Sequence, residues 1–222
     1  MNIKMEKTQT IKITEGCPNA CEYCYEPKEI KDLGFLQSDQ YNHFKIIDMN
    51  FLANPNALKY LRELTPAKNR IYELICGLDY RLLTPEIAGL LYEKGFIKIR
   101  WAWDYTFNDQ KKQRKTFLML KKAGFQPLKM SVFILANWKT SFKDCVKKLD
   151  LLKVWGVVVN DCCFDGGYKN TKSIYWTYEQ IKTFRRLCRT HNLMLKFGID
   201  PEYKYSDLKK KSEKSLNDYY EA

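Results

Sequence analysis

The sequence predicts an α/β protein with parallel strands, wound as an open, partial TIM-like (β/α)6 barrel. Three observations predict it. Six short runs rich in β-branched and aromatic residues recur along the chain, as strands require. Amphipathic segments bounded by helix start and stop signals fill the gaps. The alternation implies parallel strands joined by right-handed crossovers. Six such units in 222 residues fall short of the roughly 250 that a closed eight-fold barrel uses.

The elements follow in order. Thr10–Thr14, reading TIKIT, alternates polar and apolar residues and leads into a cysteine-bearing loop. Phe44–Leu52, Ile71–Leu78, Phe96–Asp104, Leu128–Leu135 and Gly156–Phe164 are the next five strand candidates. Asn56–Leu64 follows Pro55 with apolar residues at helical spacing. The next helix starts at Thr84 as N-cap with Pro85 behind it, and stops at Gly95, a sequence of signals that fits helix geometry at both ends. Two more helices stop at Gly124 and Gly156, and the last starts at Thr177 with Gln180 placed for a capping box. One core domain is expected over residues 1–202, followed by a charged tail or helix over 203–222.

At 45% hydrophobic residues the chain is globular and not disordered. No apolar run approaches the roughly 20 residues that span a bilayer, so no membrane partner is expected. The opening MNIKMEKTQT lacks the apolar stretch of a secretory signal, which makes the cytoplasm the expected location. The net charge of +12 reads either as a solvated lysine-rich surface or as a face for a polyanion such as nucleic acid. Pairs and runs such as Lys111-Lys112, Lys121-Lys122 and Lys209-Lys210-Lys211 suit either.

Polar residues gather at the carboxyl ends of the expected strands: Asp48 and Asn50, Asp79 and Arg81, Arg100 and Asp104, Asn137, Asn160 and Asp161, and Asp165. In parallel α/β folds those ends border the active site.

Of eight cysteines, three crowd into GCPNACEYCYEP: Cys17, Cys21 and Cys24. Thiolates bind soft metals and iron–sulfur clusters. A structural zinc wants four ligands, so a fourth would come from afar, for instance from His43 or Cys76. Three thiolates on one loop suit three irons of a cubane, leaving the fourth iron open to a small molecule.

The stretch CPNACEYC resembles the CxxxCxxC motif of the radical S-adenosylmethionine (SAM) superfamily, including the aromatic Tyr23 just before the third cysteine. The resemblance is strong over the motif and extends over about residues 8–200 at the level of architecture. It implies that Cys17, Cys21 and Cys24 ligate a [4Fe-4S] cluster and that SAM chelates the open iron. It further implies reductive cleavage of SAM to a 5′-deoxyadenosyl radical, which abstracts a hydrogen atom from a substrate. An electron donor of the flavodoxin or ferredoxin kind is the implied partner.

Position by position, the resemblance sets Tyr23 against the adenine. The family often binds the SAM amino group through glycine-glycine-glutamate after the second strand. Here Asp48, Met49 and Asn50 occupy that place, so Asp48 and Asn50 are the candidates. Arg100 and Asp104 are candidates for the SAM carboxylate and ribose. The apolar run Val132–Asn137, with Ile134 in it, resembles the strand that borders adenine.

The remaining features read mostly as packing: Cys76, Cys162, Cys163, and the tryptophans Trp101 and Trp103. The glycine-bearing run Phe164–Asn170 reads as a turn or a flap over the mouth. The substrate is not named by the sequence, and a nucleic acid or a peptide is one possibility. A reading from another class is a basic nucleic-acid-binding protein with a structural zinc.

Overall fold

The computed structural model describes residues 7–35, 38–65, 70–104, 106–164 and 175–198. The chain is mixed α/β with parallel strands in open sheets, and it divides into two compact units. One comprises Met1–Ala102 and Lys112–Ser131, the other Trp103–Lys111 and Val132–Ala222. The expected tail at 203–222, Asp165, and the glycine-bearing run after Phe164 lie outside the described residues.

In the first unit, β1 (Thr8–Ile11) is followed by a short antiparallel ribbon of β2 (Thr14–Glu15) and β3 (Lys31–Asp32). Then come β4 (His43–Ile46), α1 (Ala57–Glu63), β5 (Ile71–Leu74), α2 (Pro85–Glu93) and β6 (Ile99–Ala102). β1, β4 and β5 pair in parallel and in chain order, and parallel bridges at Tyr72–Phe96 and Leu78–Trp101 carry the pattern onward. No reversal of order interrupts this run, unlike the switch point of doubly wound sheets. The sequence placed strands at these sites except β3, which it did not anticipate, and ran those at β4, β5 and β6 longer than they are. Thr10–Thr14 is divided between β1 and β2, and Phe44–Leu52 ends in a 3-10 turn over Phe51–Ala53.

Packing explains the register. Phe44, Tyr72 and Phe96 occupy neighbouring positions across the strands and stack with ring centroids 5.4 and 5.2 Å apart. All three are buried, and each such ring removes upwards of about 150 Å² of surface from water. Pro85 follows the Thr84 N-cap, whose hydroxyl accepts from the Ile87 N–H at 3.2 Å. Trp101 is wholly buried and donates to Gln113 at 2.7 Å.

The second unit holds β7 (Met130–Ala136) from Val132 onward, α4 (Phe142–Trp155), β8 (Val158–Cys163) and α5 (Tyr178–Phe197). α3 (Gln110–Ala123) falls largely in the first unit. β7 and β8 are neighbours in one sheet. α4 stops at Gly156, whose φ of +68° is the left-handed conformation that a glycine adopts without strain. The expected capping box on α5 is formed by Thr177 and Gln180. Trp103 is buried and stacks on Trp155 at 6.2 Å, while the fully buried Lys148 donates to the Trp103 carbonyl at 2.8 Å. The two tryptophans are core residues, as their apolar character suggested.

Candidate functional site

The cysteine loop leaves the first parallel strand and is closed by its own residues. The β2–β3 ribbon joins its two ends, with Thr14 opposite Asp32 and Glu15 opposite Lys31. Inside that closure the Cys17 N–H donates to the Pro27 carbonyl at 2.7 Å, and the Gly16 N–H donates to Glu26 Oε1 at 3.0 Å. Between the second and third cysteines, the Cys24 N–H donates to the Cys21 carbonyl at 2.9 Å. Asp32 ties the ribbon to the following helix by accepting from Asn54, Asn56 and Tyr60. Led by the Asn56 hydrogen bond, these donors hold its carboxyl well below the usual carboxylate range.

Cys17, Cys21 and Cys24 are half-buried, and no cysteine of the chain is in a disulfide. The loop is pinned at two further points, both tied to Asp79. Asn19, between the first two cysteines, donates to Asp79 Oδ2 at 2.8 Å. Asn50 donates to the same oxygen at 3.1 Å and to Cys17 Sγ at 3.4 Å. Arg81 grips Asp79 with two side-chain donors, Nε to Oδ1 at 2.8 Å and an NH2 to Oδ2 at 2.9 Å. Burial works against the Asp79 charge, but the bonds from Arg81 and Asn19 outweigh it and hold the carboxyl below its ordinary value. Donating to Asp79 in turn raises the Arg81 guanidinium above its ordinary value.

Asp48 and Asn50, at the carboxyl end of β4, are 1% and 2% exposed. Asp48 Oδ1 accepts from the Ile13 N–H at 2.8 Å, which fastens the strand end to the segment leading into the loop. Among the described residues Asp48 Oδ2 and Asn50 Oδ1 are buried acceptors without a well-formed hydrogen bond, with Thr14 the further donor near the Asp48 carboxylate. Burial pushes the Asp48 carboxyl above its ordinary range, against the pull of the Ile13 and Thr14 N–H groups. A buried acceptor without a donor is costly. Each is an acceptor that a donor such as an amino group would satisfy.

The other candidates lie as follows. Tyr23 is half-buried on the loop. Arg100 is engaged: its guanidinium pairs with the buried Glu73 and donates to the Leu74 carbonyl at 3.1 Å. Burial opposes the Glu73 charge, yet Arg100 and then Lys98 hold its carboxyl below the usual value. His43 faces the same carboxylate at 3.3 Å. Cys76 donates weakly to the Ile47 carbonyl at 3.5 Å, and burial raises its thiol. Asp104 and Ile134 belong to the second unit. There the Asp104 carbonyl accepts from Thr140 at 3.2 Å, and Ile134 is fully buried in the core. Also there, burial pushes the Cys162 thiol up to about 12, consistent with a packed thiol.

Among the described residues no three histidine, cysteine, aspartate or glutamate side chains are gathered to hold one metal ion. A tetrahedral zinc needs such a gathering, with Zn–S of about 2.3 Å. A cubane likewise needs its three thiolates turned towards one core, with each taking a different iron. Three thiols on one closed loop, with Asn50 against the first of them, are soft donors of the type that an iron–sulfur cluster takes.

Sequence reading missed Asn19, and it noted Asp79 and Arg81 without a role. The available signal was Asn19 within the cysteine motif itself, and the two-residue spacing of Asp79 and Arg81 just past Gly77. Comparison with protein-family models and with curated proteins finds no match for the chain.

Proposed function

We propose that the chain is a radical SAM enzyme with the core of a partial (β/α)6 barrel, acting by hydrogen-atom abstraction. The observation that carries the reading is the pair of orphaned acceptors, Asp48 Oδ2 and Asn50 Oδ1, where the resemblance expects the SAM amino group to bind. It is supported by the CxxxCxxC loop after the first parallel strand. The in-order parallel run of β1, β4 and β5 supports the barrel.

In this reading Cys17, Cys21 and Cys24 hold a [4Fe-4S] cluster. When bound, the cluster supplies the electron that cleaves the SAM sulfonium to methionine and a 5′-deoxyadenosyl radical. The chain's own residues position and shield. Asp48 holds the strand end against Ile13 and offers its second oxygen to an ammonium. Asn50 offers its carbonyl oxygen to the same group. The Asn19–Asp79–Arg81 network fixes the loop so that the thiols keep one arrangement. Arg100 is occupied by Glu73 and is assigned to the fold.

The test is metal content. Anaerobic reconstitution with iron and sulfide, with zinc offered in competition, is expected to give a brown protein carrying iron and acid-labile sulfide. A Cys17/Cys21/Cys24→Ala variant is expected to carry neither. Zinc without sulfide would overturn the reading.

A second reading concerns the substrate of the same chemistry. Lys182, Arg185, Arg186 and Arg189 lie exposed along one stretch of α5, on a surface that Glu179 shares. Lys182 and Arg185 have acidic neighbours in Glu179 and Asp161, while Arg186 and Arg189 make no ion pair among the described residues. With the +12 charge, this row favours an anionic macromolecule, a nucleic acid, over a small neutral substrate.

A further inference from the structure

An asparagine amide can face a neighbour with either its donor or its acceptor end. At Asn50 the choice is dictated. Its Nδ2 has two hydrogens and two acceptors: Asp79 Oδ2 at 3.1 Å and Cys17 Sγ at 3.4 Å. The flipped amide would turn a carbonyl oxygen towards a carboxylate, which Arg81 and Asn19 keep ionised. Like charge would oppose like, so the carboxylate forces the donor end onto the sulfur. The same orientation leaves Oδ1 bare.

We infer that Asp79 is a positioning residue that sets the Asn50 amide, and that Asn50 tunes the Cys17 ligand by donating a hydrogen bond to its sulfur. The inference rests on the cluster reading above. Hydrogen bonds to cluster sulfurs raise the reduction potential, because they favour the more negative, reduced state. Asp79 acts through Asn50 and does not touch the sulfur in this arrangement.

The experiment is a redox titration of the reconstituted full chain, followed by absorbance and electron paramagnetic resonance. Four proteins are compared: wild type, Asn50→Leu, Asp79→Asn and the double variant. Loss of a hydrogen bond to a charged group is expected to change the one-electron equilibrium about tenfold, so Asn50→Leu lowers the midpoint potential by about 59 mV. Should Asn50→Leu fail to fold, Asn50→Ala removes the same donor without new bulk and is expected to move the potential in the same direction.

Asp79→Asn removes a nearby negative charge, which alone raises the potential. It also frees the amide, which lowers it. The second effect exists only while Asn50 is present. The Asp79→Asn shift is therefore expected to be more negative in wild type than in the Asn50→Leu background, a coupling that a double-mutant cycle isolates. A midpoint unmoved by loss of Asn50, or equal Asp79→Asn shifts in both backgrounds, overturns the inference while the cluster reading stands. A wild-type protein that holds no cluster overturns both.

Discussion

The carbonyl oxygen of Glu29 stands 1.8 Å from where a β-carbon on Gly16 would lie, and Gly16 has a φ of +87°. The obstacle is backbone, which cannot swing aside as a side chain can. The cysteine loop therefore closes only over a glycine at this position. Gly16→Ala is expected to lower the melting temperature by roughly 2–12 °C, from about 1–3 kcal/mol of backbone strain. The variant is also expected to lose most of its iron on reconstitution. Melting by circular dichroism with iron analysis checks both, and full iron retention would mean that the loop tolerates opening.

Asp48 makes a prediction with a definite sign. Its folded carboxyl sits above the ordinary 3.8, so the folded chain binds more protons than the unfolded chain between that value and the raised one. Stability then falls as pH rises through the window, and the cost persists at neutral pH. Asp48→Asn keeps an acceptor for the Ile13 N–H and buries no charge. It is expected to melt higher than wild type at neutral pH, with the difference vanishing near pH 3. If Asp48 also receives the SAM amino group, the stabilised variant binds SAM more weakly. Melting across pH and equilibrium dialysis of SAM separate the two effects.

Arg100 was expected at the SAM carboxylate, and the ion pair with Glu73 gives it a role in the fold. Glu73 is 2% exposed on its side chain and Arg100 17%, so removing Arg100 leaves the buried carboxylate with only Lys98 and His43 beside it. Arg100→Ala is expected to cost about 3 kcal/mol, a fall of roughly 6–12 °C. Replacing both Arg100 and Glu73 with methionine is expected to recover much of that. An Arg100→Ala chain of wild-type stability that no longer binds SAM would give Arg100 the cofactor role in place of the structural one.

These three cases show what was legible in the sequence and what was not. The thiols and the caps announce themselves locally: Gly16 and Cys17 are adjacent in the chain, and so are Thr84 and Pro85. Strand sites were legible from β-branched runs. Their ends were not, because Ile47 and Asp48 continue the apolar-polar texture of β4 after its pairing stops. The network around Asp79 was not legible either. Asn19, Asn50 and Asp79 are 31 and 29 residues apart in turn, and only parallel pairing in chain order brings the successive strand ends beside the loop. Glu73 carried no signal that it would be buried with Arg100, since an acidic residue within a strand reads as an outward-facing one.

The cation row on α5 predicts salt-dependent binding of nucleic acid. Each phosphate contact contributes roughly 0.7 to the slope of log affinity against log salt for single strands and about 0.9 for duplex. Arg186→Glu/Arg189→Glu is expected to reduce the slope by about 1.4–1.8 in fluorescence-anisotropy titrations of oligonucleotides at several salt concentrations. A flat salt dependence in wild type would remove nucleic acid as the substrate class.

The most direct measurement of the central claim is mass spectrometry of the reconstituted protein incubated anaerobically with SAM and dithionite. The account predicts 5′-deoxyadenosine and methionine from the native chain, and neither from the Cys17/Cys21/Cys24→Ala variant. Native protein carrying a full cluster, yet leaving SAM intact with dithionite and with a flavodoxin-type donor, would contradict it.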